Sequence, residues 1–103
     1  AMPAEYINPL LMASAIITEL NEVFMTKEQK APTVLAFGKI IGNGATNVIP
    51  QEVKLEGTFR TMEEKWRAEA HAKMKAIAEE VAKKMGGTCD FIIENGYPFL
   101  INF

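Results

Sequence analysis

The sequence predicts an α+β fold, a ferredoxin-like two-layer sandwich with an antiparallel sheet and two helices on one face. Two stretches carry apolar residues at helical spacing, one beginning at Pro9 and one over about 62–85, and β-rich runs lie at 33–41, 52–60 and 88–94. The resulting order is helix, strand, strand, helix, strand, which is β-α-β-β-α-β with its first strand absent. In the complete arrangement that first strand lies between the third and the fourth. The last strand is therefore expected to pair differently, to borrow a strand from another chain, or to close the gap by rearrangement.

The first helix opens at Asn8, an N-cap residue, followed by Pro9 at the first helical position, where a missing N–H costs nothing. Leu10, Ala13, Ile17, Leu20 and Phe24 form one stripe, and Met12, Ile16 and Val23 widen it to an arc of about 160°. Such an arc exceeds what one sheet face covers, so its flank is expected to meet a second surface. The run TVLAFGKII (33–41) is a strand with poor alternation and small residues at Ala36 and Gly38.

After a glycine-containing loop, EVKLEGTFR alternates cleanly: Val53, Leu55, Gly57 and Phe59 point one way, and Lys54, Glu56, Thr58 and Arg60 the other. The second helix is predicted to start with a capping box from Thr61 to Glu64, and its stripe runs Trp66, Ala70, Met74, Ile77, Val81 and Met85. Lys83 and Lys84 suit its C-terminal dipole, and Gly86 offers a left-handed stop. TCDFIIE reads as the last strand, and NGYPFLINF as a turn leading out.

The composition narrows the function classes. At 103 residues, with 49% hydrophobic and 23% charged side chains, the chain has the make-up of one globular domain. Eleven basic and thirteen acidic residues give a net charge of −2, and neither sign forms a block, so no nucleic-acid partner is expected. No apolar run reaches the ~20 residues of a membrane span, and no signal segment is evident. The single cysteine cannot close an intramolecular disulfide, which points to a reducing, cytoplasmic setting.

With one histidine, a dedicated metal site within this chain is not expected. His71 lies at the margin of its helix stripe and is expected to face solvent. Cys89 is read as a small buried hydrophobe, and Ser14 as a helix-surface residue. The glycines of GNG are too few for a dinucleotide fingerprint, and they join two strands.

A strand-to-strand loop this long usually carries function. Within it Asn47 offers an amide, and thirteen positions later Arg60 offers a planar donor fork suited to a carboxylate. On residue chemistry alone the plainer roles come first: Asn47 stabilises a turn, and Arg60 is a solvated cation on an open sheet.

The segment GNGATNVIPQEVKLEGTFRT resembles the dimerisation, or lid, domain of the zinc-dependent aminoacylase, hippurate hydrolase and carboxypeptidase family of exopeptidases. The shared pattern is a glycine-rich turn, NVIP, an acidic residue, an alternating strand and GTFRT. The flanks AMPAEYINPLLMAS and GYPFLINF agree, so the likeness spans residues 1–103 and is closest to the amidohydrolase branch. The resemblance implies a piece of a larger two-domain enzyme that hydrolyses N-acyl amino acids. Two divalent metals, zinc in most members, would sit in its catalytic domain, and this chain alone would be inactive.

The resemblance further implies that Asn47 and Arg60 contact substrate, that Gly42 and Gly44 give the loop the backbone freedom to present Asn47, and that the domain forms a homodimer. The edge strand (Val34, Ala36, Gly38) and the first helix (Met12, Ile16, Val23) are the expected dimer interface. Two alternatives remain at this point: a free-standing ferredoxin-like interaction or small-ligand regulatory module, and the lid of a dipeptidase or carboxypeptidase.

Overall fold

Asn8 keeps an extended backbone (φ −118°, ψ 101°), and its Oδ1 accepts the Leu10 N–H at 3.0 Å, while Pro9 occupies the first helical position. Helix α1 therefore runs Pro9–Glu22, and it continues into a π-helical turn, Val23–Lys27. The structure, a computed structural model, describes residues 8–27, 32–49, 51–93 and 98–103. Pro50 of the NVIP run, the flank through Ile7, and the expected turn at Asn95 and Gly96 lie outside the described residues.

The face of α1 that meets the sheet comprises Met12, Ala13, Ile16 and Leu20, with Phe24 one turn beyond, all buried, whereas Leu10 is 38% exposed. The buried arc is thus rotated from the sequence expectation. Met12 and Ile16, expected at a partner's surface, fill the core of their own protomer, and the exposed flank is the one with Leu10 and Leu11.

Strand β1 (Thr33–Ile41) pairs antiparallel with β2 (Lys54–Thr61), in a register that sets Leu35 beside Phe59 and shifts at a bulge between Phe37 and Lys39. Val53, Leu55 and Phe59 are buried, as the alternation predicts. Helix α2 (Glu64–Lys84) follows, then β3 (Asp90–Ile93) and β4 (Pro98–Asn102). The sheet order is β1-β2-β4-β3, with every neighbour antiparallel.

β4 corrects the reading of PFLINF as a turn leading out. It lies between β2 and β3, the slot and direction that the first strand of β-α-β-β-α-β would take. The last strand thus keeps a neighbour on its inner side, supplied by the residues that follow it. Pro98 is tolerated because it is the first residue of the strand. Phe99 and Ile101 then alternate into the core at 1% and 0% exposure.

Two aromatic groups fill the space between sheet and helices. Phe24, Phe59 and Trp66 meet with ring centroids 5.9–6.1 Å apart, and Phe99 lies edge-on to Phe37 at 5.4 Å and stacked on Phe91 at 5.6 Å. Each fully buried ring contributes about 1.5–3 kcal/mol of transfer free energy. Gly57 lets the second group form: a Cβ there would stand 2.6 Å from the Ala36 carbonyl oxygen and 2.8 Å from Phe99 Cζ.

The expected capping box does not form. Thr61 is held in β2 opposite Thr33, its hydroxyl accepts the Glu63 N–H at 3.3 Å, and Glu64 pairs with Arg67. The Trp66 indole anchors this corner by donating to Thr33 Oγ1 at 2.8 Å. At its other end α2 stops as predicted. Gly86 takes φ 87°, the Gly86 N–H reaches the Lys83 carbonyl at 3.1 Å, and the Gly87 N–H reaches that of Ala82 at 2.8 Å.

His71 is the second correction on this helix. It is buried at 8% exposure, edge-on to Phe59 at 5.8 Å, because Ala78 and Ala82 extend the covered arc past it.

Candidate functional site

The loop leaving β1 has its own internal structure. Ala45 and Val48 exchange both backbone hydrogen bonds, at 2.9 and 3.1 Å, which puts Thr46 and Asn47 at the tip of a tight two-residue turn. Asn47 is exposed there. One concavity of about 810 Å³ lies between this tip and the start of α1, lined by Asn8, Leu10, Gly42, Gly44 and Asn47 among others. A second, about 430 Å³, lies against Asn43, Gln51, Glu52 and Lys54.

Gly42 serves a closer purpose than backbone freedom. Its φ is not left-handed, and a Cβ there would come within 2.9 Å of Leu10 Cδ2 and 3.1 Å of Val53 Cγ2. The absent side chain lets the start of α1 approach the end of β1. Gly44 lines the same concavity.

Arg60 stands elsewhere. It is exposed on the open face of the sheet and paired across from Val34, whereas the loop joins β2 at Lys54, opposite Ile41. Six residues of strand separate the two ends, about 20 Å. The concavity that Asn47 lines does not include Arg60. Within one chain, the amide and the guanidinium are not brought together.

The edge strand presents Val34 (54% exposed), Ala36 and Gly38 to solvent, while Val23 is half-buried where α1 gives way to the π-helical turn. On the open face beside β1 a smaller concavity of about 290 Å³ follows the bulge, lined by Ala36, Gly38, Gly57, Thr58 and Pro98, with Lys39 and Glu56 at its rim. Lys39 Nζ lies 3.9 Å from Glu56 Oε2 there. Sequence reading overlooked this feature. Its available signal was a glycine in the interior of a strand, which marks a bulge or the close approach of another group.

The fold shifts the protonation of His71 and of Cys89. His71 holds its proton less readily than an ordinary imidazole, through burial and then the nearby Arg67 cation, and its Nε2 has no hydrogen-bond partner among the described residues. Burial, with Glu79 and Asp90 adding repulsion, pushes the Cys89 thiol up, away from the thiolate a nucleophile needs. Among the described residues no three His, Cys, Asp or Glu side chains converge to hold a metal, so these side chains do not fit a metal centre. No helix among the described residues is long and apolar enough to cross a membrane.

Comparison with known proteins adds independent information. The family model described as the peptidase dimerisation domain matches residues 1–86. An N-acyl-L-amino acid amidohydrolase of Geobacillus stearothermophilus is 28% identical over 100% of this chain and 28% of its own length. The thermostable carboxypeptidase 2 of Saccharolobus solfataricus is 26% identical over 97% of the chain and 26% of its own length. An IAA-amino acid hydrolase ILR1-like 4 of Arabidopsis thaliana is 31% identical over 96% and 23%. The chain thus spans about a quarter of the length of these relatives. No solved structure gives a significant match.

Proposed function

This chain belongs to the peptidase dimerisation domain family, and we propose that it is the dimerising, substrate-binding lid of a metal-dependent hydrolase that cleaves N-acyl amino acids or related amides. The observation that carries the reading is the placement of Asn47 and Arg60 at opposite ends of the sheet, together with an edge strand, β1, next to the loop. Pairing β1 antiparallel with its mate about a two-fold axis reverses the second protomer. The loop of one chain then lies at the same end as Arg60 of the other, displaced sideways by about two strand spacings, or about 10 Å. Two residues that cannot meet in one chain meet across the pair.

In that composite site the Arg60 fork binds the substrate carboxylate bidentately, and the Asn47 amide of the partner subunit hydrogen-bonds the acyl-amide end. Together they hold the scissile bond in place. Hydrolysis belongs to polypeptide outside this chain. Two divalent metals, read as zinc, would be held there and, when bound, would supply the chemistry of water activation and carbonyl polarisation. The reading extends to a reducing, cytoplasmic setting, supported by the single cysteine.

The test is subunit complementation in the full-length protein that carries this domain. Asn47→Ala and Arg60→Ala homodimers are each expected to lose at least about tenfold in kcat/KM while remaining dimeric. When equal amounts are mixed and allowed to exchange subunits, half the pairs become hybrids with one intact site each. Activity then returns to about a quarter of the native level. Absence of any recovery in hybrids would remove the shared site, and native kinetics in both single variants would remove the residue roles.

A further inference from the structure

Gly38 is a glycine that the fold does not need. Its φ is not left-handed, and a Cβ built on it meets nothing within 4 Å. Glycine inside a strand costs roughly 0.5–1 kcal/mol relative to alanine. Within the single chain neither a left-handed backbone nor a packed neighbour accounts for that cost, so the space above Gly38, at the bulge of the edge strand, is the feature to explain. That space is the concavity of about 290 Å³ on the open face, floored by Gly38, Gly57 and Ala36 and walled by Thr58 and Pro98. Among the described residues no helix covers this side of the sheet, and Lys39 and Glu56 stand at the rim of the concavity.

Thr58 links the concavity to the site already described. Thr58 and Arg60 are two residues apart on one strand and share its open face, so they stand about 7 Å apart along β2. A ligand whose carboxylate rests on Arg60 has its α-carbon within one side chain's reach of the concavity.

We propose that the concavity at the Gly38 bulge is the subsite for an aliphatic side chain of the amino acid whose carboxylate Arg60 holds. This deepens the proposed function and rests on it. Floor and walls are small or apolar, Phe99 among them, which suits an aliphatic group. The amino acid's selectivity would thus be set in part by this domain, through the empty volume left above Gly38 beside the small side chain of Ala36.

The experiment compares N-acetyl-leucine with N-acetylglycine in the full-length protein, reading the ratio of their kcat/KM values. Filling the space by Gly38→Ala and, separately, by Ala36→Leu should lower the leucine-to-glycine ratio by about tenfold or more, the scale set by one or two methylenes of lost packing. Circular dichroism and sedimentation confirm that each variant keeps its fold and its pairing. The Gly38→Ala variant is the safer of the two, since its added methyl enters open space.

Arg60→Ala separates the two readings. If it lowers kcat/KM for both substrates while the filled variants keep the native ratio, the subsite is wrong and the carboxylate role stands. If Arg60→Ala leaves both substrates unaffected, the proposed function itself falls and takes the subsite with it.

Discussion

His71 packs edge-on to Phe59 with no partner for Nε2 among the described residues, and the Arg67 cation lies one turn earlier on α2. Protonating it inside the fold puts a second positive charge next to the first, in a place water does not reach. The folded imidazole therefore titrates below the ordinary value of 6.5, and the unfolded chain takes up the proton first as pH falls. Its stabilising contribution is complete above about pH 6.5 and is lost as pH drops from there through the folded value. Urea denaturation at pH 7.5 and pH 5 should show the native chain losing stability at the lower pH, with a His71→Phe variant losing less. An equal loss in both would place the acid sensitivity elsewhere. The sequence concealed this residue because the helical stripe was drawn through the large side chains, Trp66, Met74 and Met85. The buried arc is completed by alanines, 78 and 82, whose small size invites close contact with the sheet but gives a weak hydrophobic signal. Asn8, Pro9 and Gly86 were legible for the opposite reason: their caps are local, made by residues within a turn of one another.

At the scale of elements, the β-rich runs of β1, β2 and even the four-residue β3 were readable, and β4 was not. β2 declares its buried face through Leu55 and Phe59, with Val53 just ahead of it, while β4 has five residues, begins with proline and follows a turn signal. Only the gap between β2 and β3, a non-local fact, gives that segment a reason to be extended. β4 is nonetheless a central strand, hydrogen-bonded on both sides, and Phe99 joins both Phe37 and Phe91. Phe99→Ala should therefore cost about 3–5 kcal/mol, whereas Leu100→Ala, on the open face, should cost less than about 1.5 kcal/mol. Chemical denaturation of the two variants measures the difference. Equal, small losses would mean that β4 is dispensable to the sheet, and that its slot is not a structural requirement of the fold.

At the scale of the whole molecule, helical periodicity revealed that α1 is apolar over a wide arc, but not which flank its own sheet would cover. The core takes Met12 and Ile16, so the expected helix contribution to pairing does not rest on them. What remains of that surface is β1 itself, which among the described residues has a neighbour on one side only, with its Val34 half exposed and Ala36 and Gly38 small enough to admit another backbone. An unpaired strand edge with apolar side chains is a template for a second strand, and a copy of the same edge satisfies it symmetrically. The chain should therefore self-associate, and sedimentation equilibrium at on the order of 10 µM should show a dimer. Val34→Lys sets a strongly hydrated cation on that edge and should raise the dissociation constant by about tenfold or more, with far-UV circular dichroism unchanged because residue 34 is exposed in the single chain. Met12→Ala makes the contrast, since a buried side chain facing its own core should lower the unfolding midpoint without a comparable change in association. A native chain that stays monomeric at that concentration would leave the edge unexplained, and with it the geometry that brings the loop of one protomer to the arginine of the other.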